Sequence, residues 1–386
     1  MNNKDIDAFF ALVRAGLWEQ DIRLLPFRGV NFAEIMRLAK EQAVVGMVTA
    51  GLEHVIDVKI PKKVTLQFVG QTLKLERRNK AMNLFIADLV SKMQDADIHT
   101  LLVKGQGVAQ CYERPLWRTC GDVDLFLNDD KYQKAKEMLL PQASKTEIES
   151  KYSKHLGLII DSWVVELHGS LKMGMPLKIN RELDVIKRET FYGGEVSSWT
   201  NERTQISLLS HENDIVYVFV HFLNHFYKGG IGLRQICDWS RLLWAYRNNL
   251  GLNKIEKHIL AMGLMTEWKA FGSFAIKYLG TPKEVIPFYE NESKWERKAK
   301  RIMDFVIMSG NFGHNRDMSY MAKYPFLIRK ARSLGRRMGD LWNHAKIFPM
   351  DAIRFAPSFI FHGLRSATKG EYRVMEIICC LNLNKK

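Results

Sequence analysis

Two aspartates spaced two residues apart, Asp122 and Asp124, have the arrangement in this chain that most directly suggests chemistry. They begin an alternating segment, DVDLFL, which is typical of a β-strand. Because successive side chains of a strand point to opposite faces, both carboxylates would project from the same face. Adjacent carboxylates repel each other unless a cation lies between them, and Mg²⁺ prefers oxygen ligands. Acidic pairs are also common at solvated strand ends, so the spacing by itself does not establish a metal site.

Residues on both sides of the pair favour the metal interpretation. An apolar run ends at Lys104 and Gly105, where glycine would let backbone N–H groups approach an anion at the start of a helix. Downstream, Glu166 and His168 share one face of a second predicted strand, 163–168. The sequence therefore predicts that a third carboxylate, Glu166, joins the two aspartates.

These motifs resemble a family of uncharacterised bacterial nucleotidyltransferases, which belongs to the superfamily of DNA polymerase β and is often encoded beside cell-surface polysaccharide genes. The family pattern is an apolar strand ending in Lys-Gly, then an Arg, then Asp-x-Asp-Leu, then an acidic residue two positions before a His. The matching residues are Lys104, Gly105, Arg118, Asp122, Asp124, Leu125, Glu166 and His168. The Gly-Ser that is common in the superfamily is absent, because Gln106 follows Gly105.

The resemblance implies an enzyme that moves a nucleoside monophosphate from an NTP such as ATP to an acceptor hydroxyl or phosphate. Its catalytic and metal-binding residues would be Asp122, Asp124 and Glu166, and its cofactor would be Mg²⁺ or Mn²⁺. The nucleotide would be bound by Lys104, Gly105, Gln106, Arg118 and Gly121. Further residues expected at the cleft are His168, His221, Arg234 and Asp238. The last two stand one helical turn apart and are also expected to form an ion pair.

The elements that must position these residues predict an α+β fold. Helical periodicity dominates residues 1–95, including one long helix over 64–95. Residues 96–200 mix short strands with helices and would form a small mixed β-sheet, the nucleotidyltransferase core that the resemblance implies. Within this core, residues 145–150 and 155–160 are predicted to form a hairpin that leads into the strand of Glu166.

The remainder of the chain, 201–386, is predicted to be helical, beginning with a strong helix over 206–226. Of the net charge of +15, most lies near the end, since residues 296–386 contain 18 Lys and Arg against 7 Asp and Glu. Such a region favours a polyanionic partner: nucleotide, nucleic acid, acidic glycan or anionic membrane surface. A basic surface that serves only solubility is an equal alternative.

Composition sets broader bounds. At 47% hydrophobic and 26% charged residues the chain has the composition of a globular protein. No run approaches the roughly 18 apolar residues of a membrane span, and the N-terminal segment does not have the pattern of a signal peptide. The five cysteines lack the spacing of a metal site, so free thiols in a reducing cytoplasm are expected.

Three alternatives remain open at this stage. His221 and His225 have a spacing that could bind zinc, although the aromatic residues around them favour a core or pocket position. A nucleotide- or glycan-binding protein could retain the fold without turnover, as the missing Ser after Gly105 suggests. A nucleic-acid-binding protein could use the basic C-terminal region, and its binding should weaken steeply with salt.

Overall fold

The computed structural model describes residues 3–150, 154–228, 230–311, 326–350 and 352–354. Over these residues the chain has a mixed α+β fold, in which a seven-stranded sheet lies between N-terminal and C-terminal helices. The predicted fold class is therefore confirmed. About half of the basic C-terminal region, including residues 355–386, lies outside the described residues.

Four helices precede the sheet: α1 (Asn3–Trp18), α2 (Phe32–Glu41), α3 (Val45–Glu53) and α4 (Lys62–Asp95). The long helix predicted from the sequence is confirmed as α4. Its residue Asn79 is fully buried and donates hydrogen bonds of 2.8 Å to the carbonyl oxygens of Leu116 and Arg118. Helix α4 therefore fixes the segment that carries Arg118 into the second strand.

The sheet contains β1 (Leu101–Val103), β2 (Asp122–Phe126), β3 (Lys145–Thr146), β4 (His155–Ile160), β5 (Trp163–His168), β6 (Val196–Asn201) and β7 (Thr204–Leu209). The strand order is β3-β4-β5-β2-β1-β7-β6. Strand β2 runs parallel to β5 and antiparallel to β1, so the two acidic strands are neighbours near the middle of the sheet. The predicted hairpin is confirmed by the antiparallel pairing of β3 with β4.

One face of this sheet is apolar and packs against α4. Val123, Leu125, Val165 and Leu167 are fully buried there and belong to one hydrophobic cluster with α4 residues such as Ile86. Because strand side chains alternate, burying these residues places the intervening acidic residues on the opposite face.

Around and after the sheet, the described residues form the α-helices α5 (Gly105–Ala109), α6 (Asp129–Leu139), α7 (Leu177–Phe191), α8 (His211–Lys228), α9 (Leu233–Tyr246), α10 (Leu252–Met262), α11 (Met265–Leu279), α12 (Ser293–Ser309) and α13 (Phe326–Ile347). A second, larger core joins many of them to the N-terminal helices. Phe9 of α1, Phe219 of α8, Trp239 of α9 and Trp268 of α11 are fully buried within it.

The predicted helix over 206–226 is wrong in its first part. Residues Thr204–Leu209 form β7, which pairs parallel with β1 and antiparallel with β6, and α8 begins only at His211. Ile206 is fully buried in the cluster under the sheet. A short apolar run has no periodicity that separates a buried strand from a helix, so the strand could not be recognised locally.

Within the described ranges, no helix combines the length and the apolar character that crossing a bilayer requires.

Candidate active site

Strand register brings the three predicted carboxylates together. Asp124 of β2 lies directly beside Glu166 of β5, and Asp122 lies two residues earlier on the same face. One candidate ligand oxygen from each of the three residues lies within 4.8 Å of the other two. The side-by-side arrangement follows from the parallel pairing of two alternating strands, one with Asp-x-Asp and the other with Glu.

Asp124 is the most enclosed member of the cluster and has two cationic or polar partners. Its Oδ1 lies 2.7 Å from Lys104 Nζ and 2.8 Å from His168 Nε2. Its side chain is only 2% exposed. These contacts compensate a buried charge that would otherwise be strongly unfavourable.

Glu166 is held by two imidazoles. His155 Nε2 lies 3.1 Å and His168 Nε2 lies 3.3 Å from its Oε2. Burial acts to raise the pKa of Glu166, but these two hydrogen bonds and the adjacent imidazole charges outweigh it and hold the pKa well below its ordinary value. For His168 burial acts to lower the pKa, whereas its hydrogen bonds to Asp124 and Glu166 raise it, and the raising effect is larger. Glu166 is therefore held as a carboxylate.

Asp122 is the carboxylate whose negative charge is balanced least by its neighbours. Burial raises its pKa to about 6, with further contributions from the negative charges of Asp124 and Glu166. Lys104 and Arg234 oppose this rise only in part. Among the described residues none donates a hydrogen bond to its side chain. Three converging carboxylates, one of them uncompensated, have the donor set that fits a divalent cation such as Mg²⁺ or Mn²⁺.

Lys104 enters the site from the turn between β1 and α5. Its backbone has φ 60°, an uncommon value for a residue other than glycine, and Gly105 continues the turn with φ 45°. Besides Asp124, its Nζ contacts His221 Nε2 of α8 at 3.3 Å. Burial acts to lower the pKa of Lys104, but the charge of Asp124 and other nearby acidic groups raise it above its ordinary value, so this side chain stays a cation.

Arg118, in the segment before β2, and Asp238 of α9 form a buried ion pair. Nε and Nη2 of Arg118 each lie 2.7 Å from one carboxylate oxygen of Asp238, and Tyr112 donates a third hydrogen bond of 2.8 Å. The expected ion pair between Arg234 and Asp238 is much looser, with 3.9 Å between the nearest charged atoms. Asp238 is therefore committed mainly to Arg118.

Arg234 lies beside this pair and does not use all of its N–H donors. Its Nη1 donates to the carbonyl oxygen of Thr119 at 3.1 Å, while its buried Nε has no hydrogen-bond partner in the part of the chain that the structure describes. The neighbouring Gln235 has a buried Oε1 that likewise accepts no hydrogen bond from any described residue. Both residues line a cleft in front of the acidic cluster.

The cleft collects most of the residues predicted for the site. Its walls include Lys104, Gly105, Arg118, Asp122, Asp124, His221, Arg234 and Asp238. Glu166 and His168 adjoin it through Asp124. His225 Nε2 lies 3.3 Å from His221 Nε2, but the groups suited to hold a metal among the described residues do not include this pair.

Two predicted nucleotide-binding residues, Gln106 and Gly121, adjoin cleft residues in the chain but do not line the cleft themselves. The side chain of Gln106 is fully buried with its amide nitrogen 3.6 Å from the Met82 sulfur of α4, so it faces away from the carboxylates. Gly121 is exposed, and its carbonyl oxygen accepts a hydrogen bond of 3.4 Å from Arg78.

Sequence reasoning missed three residues at the site: His155, Tyr112 and Gln235. The pairing of His155 with His168 follows from the register of the β4–β5 hairpin, so strand counting could have found it. Gln235 follows Arg234 on a helix already predicted to face the cleft. Tyr112 has no local signal, because its partner Asp238 is 126 residues away in the sequence.

Comparison with known proteins identifies a family for most of the chain. A family model described as uncharacterised nucleotidyltransferase matches residues 28–275. No curated protein matches the sequence. Among solved structures the chain is similar to an antigenic nucleotidyltransferase-like protein from Paracoccidioides brasiliensis, with 13% identity and a TM-score of 0.33, over 51% of this chain and 92% of that one. So distant a likeness carries no argument about the site.

The family match spans well over half of the chain and includes β1, β2, β5, α8 and α9. The matched range therefore contains all three carboxylates, Lys104 and Arg234. The chain therefore belongs to the family of uncharacterised nucleotidyltransferases.

Proposed function

We propose that this protein is a metal-dependent nucleotidyltransferase that moves a nucleoside monophosphate from an NTP to an acceptor. The observation that carries the proposal is the convergence of Asp122, Asp124 and Glu166 within 4.8 Å at one face of the sheet. Family membership supports the reaction class, and the uncompensated charge of Asp122 supports the cation.

The three carboxylates would hold Mg²⁺, or Mn²⁺, whose preference for oxygen ligands they match. When bound, such an ion supplies positive charge to the phosphate oxygens and Lewis-acid stabilisation of the transition state. The protein keeps Glu166 ionised for this purpose through the hydrogen bonds of its two histidines.

Two cations of the chain would bind the triphosphate. Lys104 is a permanent cation at the edge of the acidic cluster, and Arg234 lines the cleft with an Nε that no described residue accepts from. Fixed positive groups of this kind stabilise the charge that develops in phosphoryl transfer. We assign a different role to Arg118, because Asp238 already occupies two of its donors: it positions the segment before β2.

In the proposed reaction an acceptor oxygen forms a bond to the α-phosphorus of the NTP. The bond from that phosphorus to the bridging oxygen of the β-phosphate breaks, and pyrophosphate leaves. The acceptor proton is released to solvent. The acceptor would be a hydroxyl or phosphate of a small molecule, glycan intermediate, protein or RNA.

A second candidate function is nucleotide binding without turnover. It is favoured by Gln106, which stands where the superfamily commonly has a Ser and whose side chain is buried against Met82. The position therefore offers no hydroxyl to a phosphate. This alternative predicts nucleotide affinity without pyrophosphate release.

The proposal is tested by incubating the protein with each α-labelled NTP, Mg²⁺ and a cell extract, and following both transfer of label and release of pyrophosphate. We expect transfer by the native protein and its loss in Asp122→Asn and Asp124→Asn. The matched control is Asp130→Asn, an exposed acid in the first turn of α6, which should remain active. Nucleotide binding without pyrophosphate release would favour the second candidate, and turnover by Asp122→Asn at the native rate would remove the acidic cluster from the mechanism.

A further inference from the structure

Two imidazoles approach the same carboxylate oxygen of Glu166. His155 Nε2 lies 3.1 Å and His168 Nε2 lies 3.3 Å from Glu166 Oε2. The three candidate ligand atoms all lie within 4.8 Å of one another. The nucleotidyl-transfer proposal uses His155 only as a hydrogen-bond donor to Glu166, and its convergence with His168 points to a further use.

The β4–β5 hairpin builds this cluster directly. In the antiparallel register His155 is opposite His168, and Gly157 is opposite Glu166. All these positions therefore share one face of the sheet. The two imidazole rings lie with their centroids 4.9 Å apart, and both present Nε2 to the carboxylate. The arrangement rests on backbone pairing in the sheet and not on a loop.

Two of the three separations between donor atoms are close to those in a metal site. Ligand atoms about 2.0–2.2 Å from a tetrahedral ion are separated from each other by about 3.3–3.6 Å. The two nitrogen-to-oxygen distances, 3.1 and 3.3 Å, lie close to this range. Asp124 Oδ1, 2.8 Å from His168 Nε2, is near enough to supply a fourth ligand after a small adjustment.

The donor types indicate which ion would bind. Imidazole nitrogen suits Zn²⁺ and other first-row transition metals, whereas Mg²⁺ prefers oxygen. We propose that His155, Glu166 and His168 bind a transition-metal ion, with Zn²⁺ as the ion that fits the donor set best. This site differs from the three-carboxylate site in its two imidazole ligands, although Glu166 belongs to both and Asp124 lies beside both. The inference concerns metal binding alone and does not rest on nucleotidyl transfer.

The experiment titrates Zn²⁺ into the metal-free full-length protein by calorimetry, without Mg²⁺, because Mg²⁺ would compete for the shared Glu166. The test variant is His155→Gln, which retains a hydrogen-bond donor for Glu166 but removes the imidazole. We expect it to weaken Zn²⁺ binding at least about tenfold, the smallest loss typical even for a residue that only supports a metal ligand. The matched control is His99→Gln, since His99 is 77% exposed and lies 3.6 Å from one carboxylate, Asp97. The control should bind Zn²⁺ as tightly as the native chain.

Equal Zn²⁺ affinity of the native protein and His155→Gln, or no Zn²⁺ binding by the native protein, would overturn the inference and leave the two histidines as hydrogen-bond donors to Glu166. Thermal unfolding in chelator checks that the variant folds. If it does not, X-ray absorption of the native zinc complex decides the question: two imidazole ligands support the site, and fewer than two contradict it. Because these measurements contain no NTP, a failure of nucleotidyl transfer does not affect them.

Discussion

At the scale of single residues, the three acids of the cluster lie side by side but differ in how far nearby cations and hydrogen-bond donors balance their negative charges. Asp124 is paired with Lys104 and His168, and Glu166 with two histidines, whereas Asp122 has no hydrogen-bond donor among the described residues. Substitutions that remove the same charge should therefore change stability in opposite directions.

Asp122→Asn should stabilise the metal-free protein at neutral and higher pH. The pKa of Asp122 in the folded chain, about 6, is above its ordinary value of 3.8. Its neutral form therefore favours folding below pH 3.8, and this contribution is lost as the pH rises through 6. An always neutral Asn should raise the free energy of unfolding by roughly 1–3 kcal/mol at pH 8, with little change at pH 4. Urea denaturation in chelator measures both values, and a gain that does not vary with pH would contradict the stated cause.

Asp124→Asn should lower the free energy of unfolding of the same metal-free protein. It leaves the buried ammonium of Lys104 without its counter-charge, and breaking one partner of a buried pair typically costs about 3–5 kcal/mol. The measurement is again urea denaturation, at pH 8. Stabilisation by this substitution would show that Lys104 does not depend on Asp124.

At the scale of elements, the β4–β5 hairpin sets much of the site. Its turn consists of Asp161 and Ser162, with φ 48° and 70°, so both residues have the left-handed conformation of a type I′ turn. With a two-residue turn the register of the hairpin is fixed, and His155 must pair with His168. This part of the site was within reach of sequence reasoning.

The turn itself can be tested. Ser162→Gly should raise the free energy of unfolding by about 1 kcal/mol, because glycine adopts a positive φ without the steric penalty of a side chain. The matched reverse change is Gly194→Ala at the end of α7, where φ is 69° and a β-carbon would meet no atom within 4 Å. It should lower stability by a similar amount. Chemical denaturation of both variants measures the change in the free energy of unfolding. Changes in the same direction would rule out backbone conformation as their cause.

The contact between Arg118 and Asp238 ties helix α9 to the segment before β2. Asp238→Ala should lower the free energy of unfolding by about 3–5 kcal/mol, because it leaves a buried guanidinium uncompensated. The control is Asp88→Ala on α4, whose partner Lys92 is 2.7 Å away but where both side chains are more than half exposed. That change should cost less than about 1 kcal/mol. Urea denaturation measures both losses of free energy of unfolding. Similar losses in the two variants would contradict the explanation that burial makes the Arg118–Asp238 pair more important.

At the scale of the whole molecule, the C-terminal helices belong to the same core as the N-terminal ones. Trp295, Ala299, Ile302 and Phe305 of α12 are buried in the cluster that also contains Phe9 of α1. A chain ending at Glu290 would expose this apolar surface. The predicted division of the chain into three regions, with boundaries at residues 95 and 200, stays a prediction.

Truncation after Glu290 should therefore prevent cooperative folding instead of simply removing a basic region. Thermal unfolding followed by circular dichroism should show a broadened or missing transition, since removing large buried side chains costs several kcal/mol each. A sharp transition at the native temperature would show that α12 is dispensable. Polyanion binding is better measured on the full chain, as the dependence of nucleic-acid affinity on salt.

The features that could be predicted from the sequence are those that depend on residues close together in the chain. Alternation placed Asp122 with Asp124 and Glu166 with His168, and periodicity gave the long helix α4. Contacts between distant segments could not be read in this way. Asp238 was expected to pair with Arg234 one turn away, yet its strongest partner is Arg118, 120 residues earlier. Strand β7 was mistaken for a helix because its identity depends on pairing with β1, about a hundred residues away.

Glu166 belongs to both groups of candidate metal ligands, and this sharing has a thermodynamic consequence. A carboxylate that already donates charge to one cation attracts a second one less strongly, while the two cations also repel each other. Occupancy of the histidine side should therefore weaken the affinity of the carboxylate side. Linkage requires the reverse effect to be equal in size: Mg²⁺ would weaken Zn²⁺ by the same factor by which Zn²⁺ weakens Mg²⁺. A single side chain on β5 would then couple the two ions antagonistically, so that raising the concentration of one metal lowers the occupancy of the other site.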